Sequence, residues 1–291
     1  MMRVGVCMVL MVGVAQGCAS NQGKATHENV RPVGVLAPDT TPLPPANGMS
    51  TGFGVTFAAA DARARAAVFQ MQCASTVPRL RANGSFGAPA SAPRNVYCER
   101  NADGVPLAGV FDIDTGYSRA RRLIMIRLDG ARPRYTGAID TTRVALVARL
   151  VRDITRDVSP AWRKMARPFT VVPLPQSDGT VEGWVIPLST RAGREILGGD
   201  VAFVRAADGR LQRTVDRFAS WKLITVPRVG MVSLSSAERE VAAVADLVTA
   251  RALAERGRDV SVTTTIARSA LVPGLDPSGS RFHWEHAPRT P

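Results

Sequence analysis

The sequence predicts an α+β protein, a mainly antiparallel sheet carrying three amphipathic helices and crossed by one disulfide. Three observations lead there. Apolar residues recur at helical spacing in three separate stretches. Short apolar or alternating runs lie between them, punctuated by Asp-Gly pairs. An even pair of cysteines, Cys73 and Cys98, lies in the body of the chain.

The first helix is carried by Phe53, Phe57, Ala60, Ala64, Val68 and Met71, with Asp61, Arg63, Arg65 and Gln70 on the other faces, and is expected to end near Cys73. Residues 78–94, dominated by Gly, Pro, Ala and Ser, read as loop. Strands are expected at 108–114 and 121–128, beside Asp103-Gly104 and Asp129-Gly130 turns. Val144, Val147, Leu150, Val151, Ile154 and Val158 then form the strongest helical stripe, capped by Asp140 or Thr141, with Pro160 just beyond its end. After Pro168 the pattern is β, with runs at 169–174, 181–188, 201–205, 211–215 and 221–226. Asp178-Gly179 and Asp208-Gly209 supply the positive φ of tight hairpins. A last helix is expected from Ser235, whose hydroxyl caps while Glu238 reaches back. Val241, Val244, Val248 and Ala252 are its buried face and Gly257 its stop. Strands at 260–267 and 281–284 close the sheet, and no repeat of fixed period is visible.

The N-terminus has a different logic. Arg3 precedes an apolar stretch from Val4 to Ala15, the length of a signal-peptide core and shorter than the roughly 20 apolar residues a membrane-spanning helix needs. Ala15 and Gly17 give the small side chains of a cleavage site before Cys18. Ala15-Gln16-Gly17-Cys18 resembles the lipobox of bacterial lipoproteins, in which the cysteine thiol is diacylated and becomes the new N-terminus. Ala15 stands where that family usually has Leu, and Gln16 is larger than its usual small residue. Ordinary cleavage at the same site, leaving Cys18 as a free or paired thiol in a secreted or periplasmic protein, is the competing reading. Ala19 and Ser20 after the cysteine, with no Asp, imply by resemblance to the enterobacterial sorting rule an outer-membrane anchor facing the periplasm. Residues 18–50, with Thr40-Thr41-Pro42-Leu43-Pro44-Pro45, read as a flexible tether. The expected organisation is a signal peptide (1–17), a lipid-anchored tether (18–50), an N-terminal α+β subdomain (51–137) and a C-terminal α+β domain (138–291).

A net charge of +13 invites a nucleic-acid reading, but the arginines are scattered, aromatics are only 5% of residues, and an exported chain does not normally meet nucleic acid. A basic surface in the envelope suits an anionic lipid or glycan or a protein partner, or is simply solvated. Cys7 is lost with the signal peptide and Cys18 is committed to the anchor, so Cys73 and Cys98 are expected to pair, adding about 3 kcal/mol. The alternative, a nucleophilic cysteine, requires a nearby histidine, and none lies in the expected core.

Signals for chemistry are few. The sequence has no phosphate-binding loop or dinucleotide fingerprint. Of three histidines, His27 lies in the tether, and His283 and His286 flank Glu285 near the C-terminus. On a strand, 283 and 286 face opposite ways, so no metal or other cofactor is expected. Three carboxylates are candidates for acid–base catalysis. Asp112 and Asp114 share one face of a strand, or merely pair with Arg119, Arg121 and Arg122. Glu182 sits in the apolar run Val181-Glu182-Gly183-Trp184-Val185, where an inward carboxylate is costly without a purpose, or faces solvent opposite Trp184.

From Asp140 to Glu285 the chain resembles a group of uncharacterised exported proteins of Gram-negative bacteria. The shared features are the hairpin around Ser177-Asp178-Gly179, the strand start Leu197-Gly198-Gly199-Asp200 and the turn Ala207-Asp208-Gly209. Some of that group carry His-Thr-His before the last helix, which resembles JAB/MPN-type metalloproteases with their downstream Ser-x-x-Asp and upstream Glu. Here the places are filled by Ile224-Thr225-Val226, Ser235-Ser236-Ala237-Glu238 and Glu182. Isoleucine and valine cannot bind zinc, so the resemblance implies a form without the metal. The expected function is a non-catalytic envelope lipoprotein with a binding or structural role, the alternative an exported hydrolase using carboxylates.

Overall fold

The structure is a computed structural model, and it describes residues 51–82, 95–100, 105–114, 116–117, 120–128, 134–135, 141–164, 168–176, 180–189, 193–205, 209–228, 230–236, 239–274 and 281–289. The signal peptide, Cys18, the tether with His27, Asp103-Gly104, Asp129-Gly130, Asp140, Ser177-Asp178-Gly179, Ala207-Asp208 and Glu238 lie outside these residues.

Among the described residues the fold is α+β, with three helices and fourteen strands. Helix α1 (Thr51–Ala82) leads to a four-stranded antiparallel sheet of β1 (Asn95–Arg100), β2 (Pro106–Ile113), β3 (Ala120–Arg127) and β4 (Arg134–Tyr135). Helix α2 (Thr141–Lys164) follows. A second antiparallel sheet has the order β5 (Phe169–Pro175), β6 (Val181–Pro187), β8 (Val201–Arg205), β9 (Leu211–Asp216). Strands β7 (Arg194–Gly198) and β10 (Trp221–Thr225) form a two-stranded ribbon. The last sheet is β11 (Val232–Ser235), β12 (Val260–Thr263), β13 (Ala267–Pro273) and β14 (Phe282–Pro288). Its β11–β12 pair is parallel and joined through α3 (Val244–Glu255), because two parallel neighbours need a crossover rather than a hairpin.

The β5–β6–β8–β9 sheet is covered on both faces. Val171, Val185, Val201 and Phe203 point to α2, where they meet Val147, Leu150, Ile154 and Val158. Val172, Leu174, Trp184, Ile186 and Ala202 point the other way, into a core shared with α1, α3 and the inner face of the last sheet. Burial on both faces explains why 169–174 and 181–188 read as apolar runs rather than as alternating strands. Gly183 is where α2 comes closest: a Cβ there would lie 2.1 Å from Ile154 Cδ1. A third cluster ties the C-terminal half of α1 to the first sheet, around Phe69, Cys73, Val77, Cys98, Ala108 and Val110.

The Cys73–Cys98 disulfide is present and buried at the α1–β1 contact. Strands β8 and β9 pair antiparallel as expected, with Gly209 at φ +80° between them. Gly257 ends α3 at φ +76°, its amide bonding to Ala254 O while Arg258 N bonds to Leu253 O, as in a Schellman motif.

Several expectations are corrected. Helix α1 runs on past Cys73 to Ala82, so 78–82 is helix and not loop; the disulfide and the fully buried Val77 hold that turn in place. Pro160 lies inside α2, because Trp162 beyond it is buried against Phe169 and Phe218 and holds the last turn despite the missing amide. Residues 232–235 are strand β11, with Val232 and Leu234 inward, and α3 starts only after Ala243, which gives no side-chain cap. The stretch 260–267 is two strands divided by a turn in which Thr264 N bonds to Ala267 O and Ala267 N to Thr264 Oγ1. Strand β14 extends to Pro288, and β1, β4 and β7 are additional.

Candidate functional site

Asp112 and Glu182 lie on different sheets, and Asp114 lies just past the end of β2, which stops at Ile113, so the expected pair on one strand face does not form. Asp112 is on β2 opposite Arg121, and Asp114 follows β2, its carbonyl accepting the Tyr117 amide. Glu182 is on β6 and shares a face with Trp184 rather than opposing it. The indole Nε1 donates to Glu182 Oε2 at 2.8 Å. Arg63 of α1 donates to the same carboxylate twice, Nε to Oε2 at 2.9 Å and Nη2 to Oε1 at 3.0 Å. That hydrogen bond holds the Arg63 guanidinium above its usual value despite partial burial. An inward carboxylate in an apolar strand is therefore explained by partners, not by an open site.

Two residues earlier on α1 the same recipe appears with the charges exchanged. Asp61 accepts from Arg251 of α3 twice, Nε to Oδ1 and Nη2 to Oδ2, each at 2.7 Å. Trp284 of β14 donates its Nε1 to Asp61 Oδ1 at 2.8 Å, and Arg65 Nε lies 3.6 Å from Oδ2. Helix α1 is thus pinned on one flank to β6 and on the other to α3 and β14.

A third polar group lies where β7, β8 and α3 meet. Gly198 and Gly199 both hold positive φ, +66° and +76°, and a Cβ on Gly198 would lie 2.1 Å from Ser220 O. The turn they make lets Gly199 N bond to Ser220 O and places Asp200 in the interior, fully buried. Arg217 Nη1 donates to Asp200 Oδ2 at 3.3 Å, while Oδ1 has no hydrogen-bond partner. Asp246, in the first turn of α3, accepts the Gly198 amide at 2.7 Å on one oxygen and the Ser236 hydroxyl on the other. Burial pushes the Asp200 carboxyl up and the Asp246 charge pushes it further, against the opposing pull of Arg217 and Arg239. Chemically, this junction can hold a proton.

Two of the motifs singled out by resemblance come together here. Leu197-Gly198-Gly199-Asp200 and Ser236 converge on Asp246, whereas Ile224 and Val226 pack against the large core. No group of three or more His, Cys, Asp and Glu that could hold a metal occurs among the described residues. His283 Nε2 lies 3.5 Å from Glu285 Oε1 on one face of β14. His286 is on the other, its Nδ1 2.7 Å from the buried Ser269 Oγ and its ring edge-on to Phe53 and Phe57. Burial pushes His286 down, partly offset by the Asp61 charge.

Sequence reading missed Asp61 with Arg251, and Asp200 with Asp246, as buried charges. Asp61 carried a signal, since it falls on α1 beside the apolar stripe. The double glycine before Asp200 was a second, marking a backbone conformation that side chains rarely adopt. Compared with known proteins, the chain matches no family model, no curated protein and no solved structure.

Proposed function

We propose that this is a lipoprotein of the bacterial envelope, tethered through acyl groups on Cys18, whose α+β body has a binding or structural role rather than a catalytic one. The observation that carries the reading is the buried Cys73–Cys98 disulfide, because such a bond persists in an oxidising compartment outside the cytoplasm. It takes up two of the four cysteines and leaves Cys18 as the one thiol beyond the apolar N-terminal stretch. The non-catalytic part rests on Glu182, whose oxygens are taken by Arg63 and Trp184, and on Asp112 lying on another sheet, with Asp114 just past the end of its strand. The basic surface makes an anionic glycan or lipid, or an acidic envelope protein, the fitting partner.

The test is the intact mass of the mature N-terminal peptide from membrane and soluble fractions, with Cys18→Ala alongside. A diacylglyceryl or triacyl adduct on Cys18, lost in the variant together with membrane retention, is expected. An unmodified Cys18 in soluble protein overturns the anchor and favours the secreted alternative.

A further inference from the structure

The junction at Asp200 has a property that neither anchoring nor binding requires. Asp200 is completely buried, yet its carboxylate receives one long hydrogen bond, from Arg217, and one oxygen receives none. Its other neighbours are Asp246, whose two oxygens are already engaged by the Gly198 amide and the Ser236 hydroxyl, and Arg239, whose Nη1 is also buried without a partner. From the strand side, Asp216 is turned away and held by Arg213 and the Phe218 amide. The backbone of the same residues links the ribbon to its surroundings: Gly199 N to Ser220 O extends the β7–β10 pair, Arg217 N to Asp200 O closes the adjoining end of β8–β9, and Gly198 N to Asp246 ties the ribbon to α3.

We infer that Asp200 is a proton-operated latch at the base of the β7–β10 ribbon: its neutral form holds the ribbon closed, and its ionisation favours opening of the turn that brings the carboxylate to water. The sign follows from the surroundings. An ionised carboxylate is poorly solvated in the closed turn and well solvated in an open one, so the closed turn binds the proton more tightly. Falling pH therefore closes the latch and rising pH loosens it, by about tenfold in the closing equilibrium for each unit separating the two acidities. The upward displacement of the Asp200 acidity agrees with this sign. Among the described residues the β7–β10 pair has no further strand partner, so its hold on the body runs through this turn and through the contacts of β7 with α3, where Thr249 Oγ1 donates to Ile196 O and Arg256 pairs with Glu195.

The experiment is amide hydrogen exchange on the full chain from pH 5 to pH 8, corrected for intrinsic rates, read at Gly199 and Trp221–Thr225. In the wild type, protection of these amides should rise several-fold towards pH 5, while α2 and β12 stay level. Asp200→Asn, the isosteric neutral form, should be protected at least as strongly as the wild type at every pH and show no pH dependence, the difference between the two widening as pH rises. A ¹³C titration of the Asp200 carboxyl in the folded wild type should fall at the alkaline end of the interval over which protection is lost. Identical pH profiles in both proteins, or protection that falls with acid, overturn the latch. So does an Asp200→Asn chain that fails to fold, because the ionised carboxylate would then be what holds the junction.

Discussion

Helix α1 carries two clamps of the same composition, a carboxylate held by both arms of an arginine and by a tryptophan indole. They differ in depth. In the Asp61–Arg251 clamp the side chains are 4% and 7% exposed; in the Glu182–Arg63 clamp they are 20% and 35% exposed. Depth decides what each contributes. The outer pair is still partly hydrated, so its attraction is screened and its partners have water to fall back on. The inner pair has no such alternative, and its stability lies mostly in the penalty for separating it. Similar contacts at similar distances thus make one clamp obligatory and the other adjustable.

The inner clamp should break hardest. Arg251→Ala leaves Asp61 buried without its main partner and should cost about 3–5 kcal/mol in urea unfolding. Replacing both members, Asp61→Leu with Arg251→Met, should recover part of that loss, since neither member of the pair is then buried alone, while the Trp284 indole still loses its acceptor. If the double variant is no better than the single, the desolvation argument is wrong. Next in size is the loop that buries Asp200. Gly198→Ala forces a Cβ against Ser220 O at positive φ and should lower stability by about 1–3 kcal/mol, read from the thermal midpoint. Arg63→Ala should cost only about 1 kcal/mol once solvent screening is allowed for, and raising the salt concentration should shrink the difference between it and wild type.

The smallest effect is one of pH and concerns a third carboxylate. Burial works to push Asp153 up, but the hydrogen bonds and charges of Arg152 and Arg205 outweigh it and hold the group below its ordinary value. A carboxyl depressed in the folded state stabilises above its unfolded value near 3.8 and loses that contribution as pH falls through the folded value. Asp153→Asn should therefore flatten the acid limb of the stability curve below about pH 4 while changing little between pH 4 and pH 5 beyond a constant offset. An unchanged acid limb would mean that other carboxylates dominate it.

The fold class and the disulfide were legible because they rest on periodicity and on even cysteine arithmetic. The amphipathic stripe of α2 is an example: Val147, Ile154 and Val158 meet the central sheet as their spacing requires. Boundaries were less legible because tertiary partners override local signals. Pro160 reads as a stop, yet Trp162 continues the helix by packing on Phe169 and Phe218. Ser235 reads as a helix cap, yet Val232 and Leu234 supply the alternation of a strand that only its parallel neighbour β12 selects. The buried charge pairs were hidden for the same reason. Asp61 and Arg251 are 190 residues apart, and a lone charge beside an apolar stripe does not announce a partner at that distance. Glu182 was visible as an anomaly, but its resolution required knowing that α1 crosses it.

Helix α1 has a mechanical consequence as well. At 32 residues it is about 48 Å long, and whatever tension arrives from the N-terminal side enters at Thr51 and runs along its axis. Its first buried side chains, Phe53 and Phe57, resist by sliding past Trp284 and His286, and the two clamps on opposite flanks are loaded in shear. Cys73 then hands the remaining load through a covalent bond to β1. Strands loaded at an edge can come apart one hydrogen bond at a time. A helix held along its length must lose its side-chain contacts together, so the point of entry gives the body its resistance to being pulled apart.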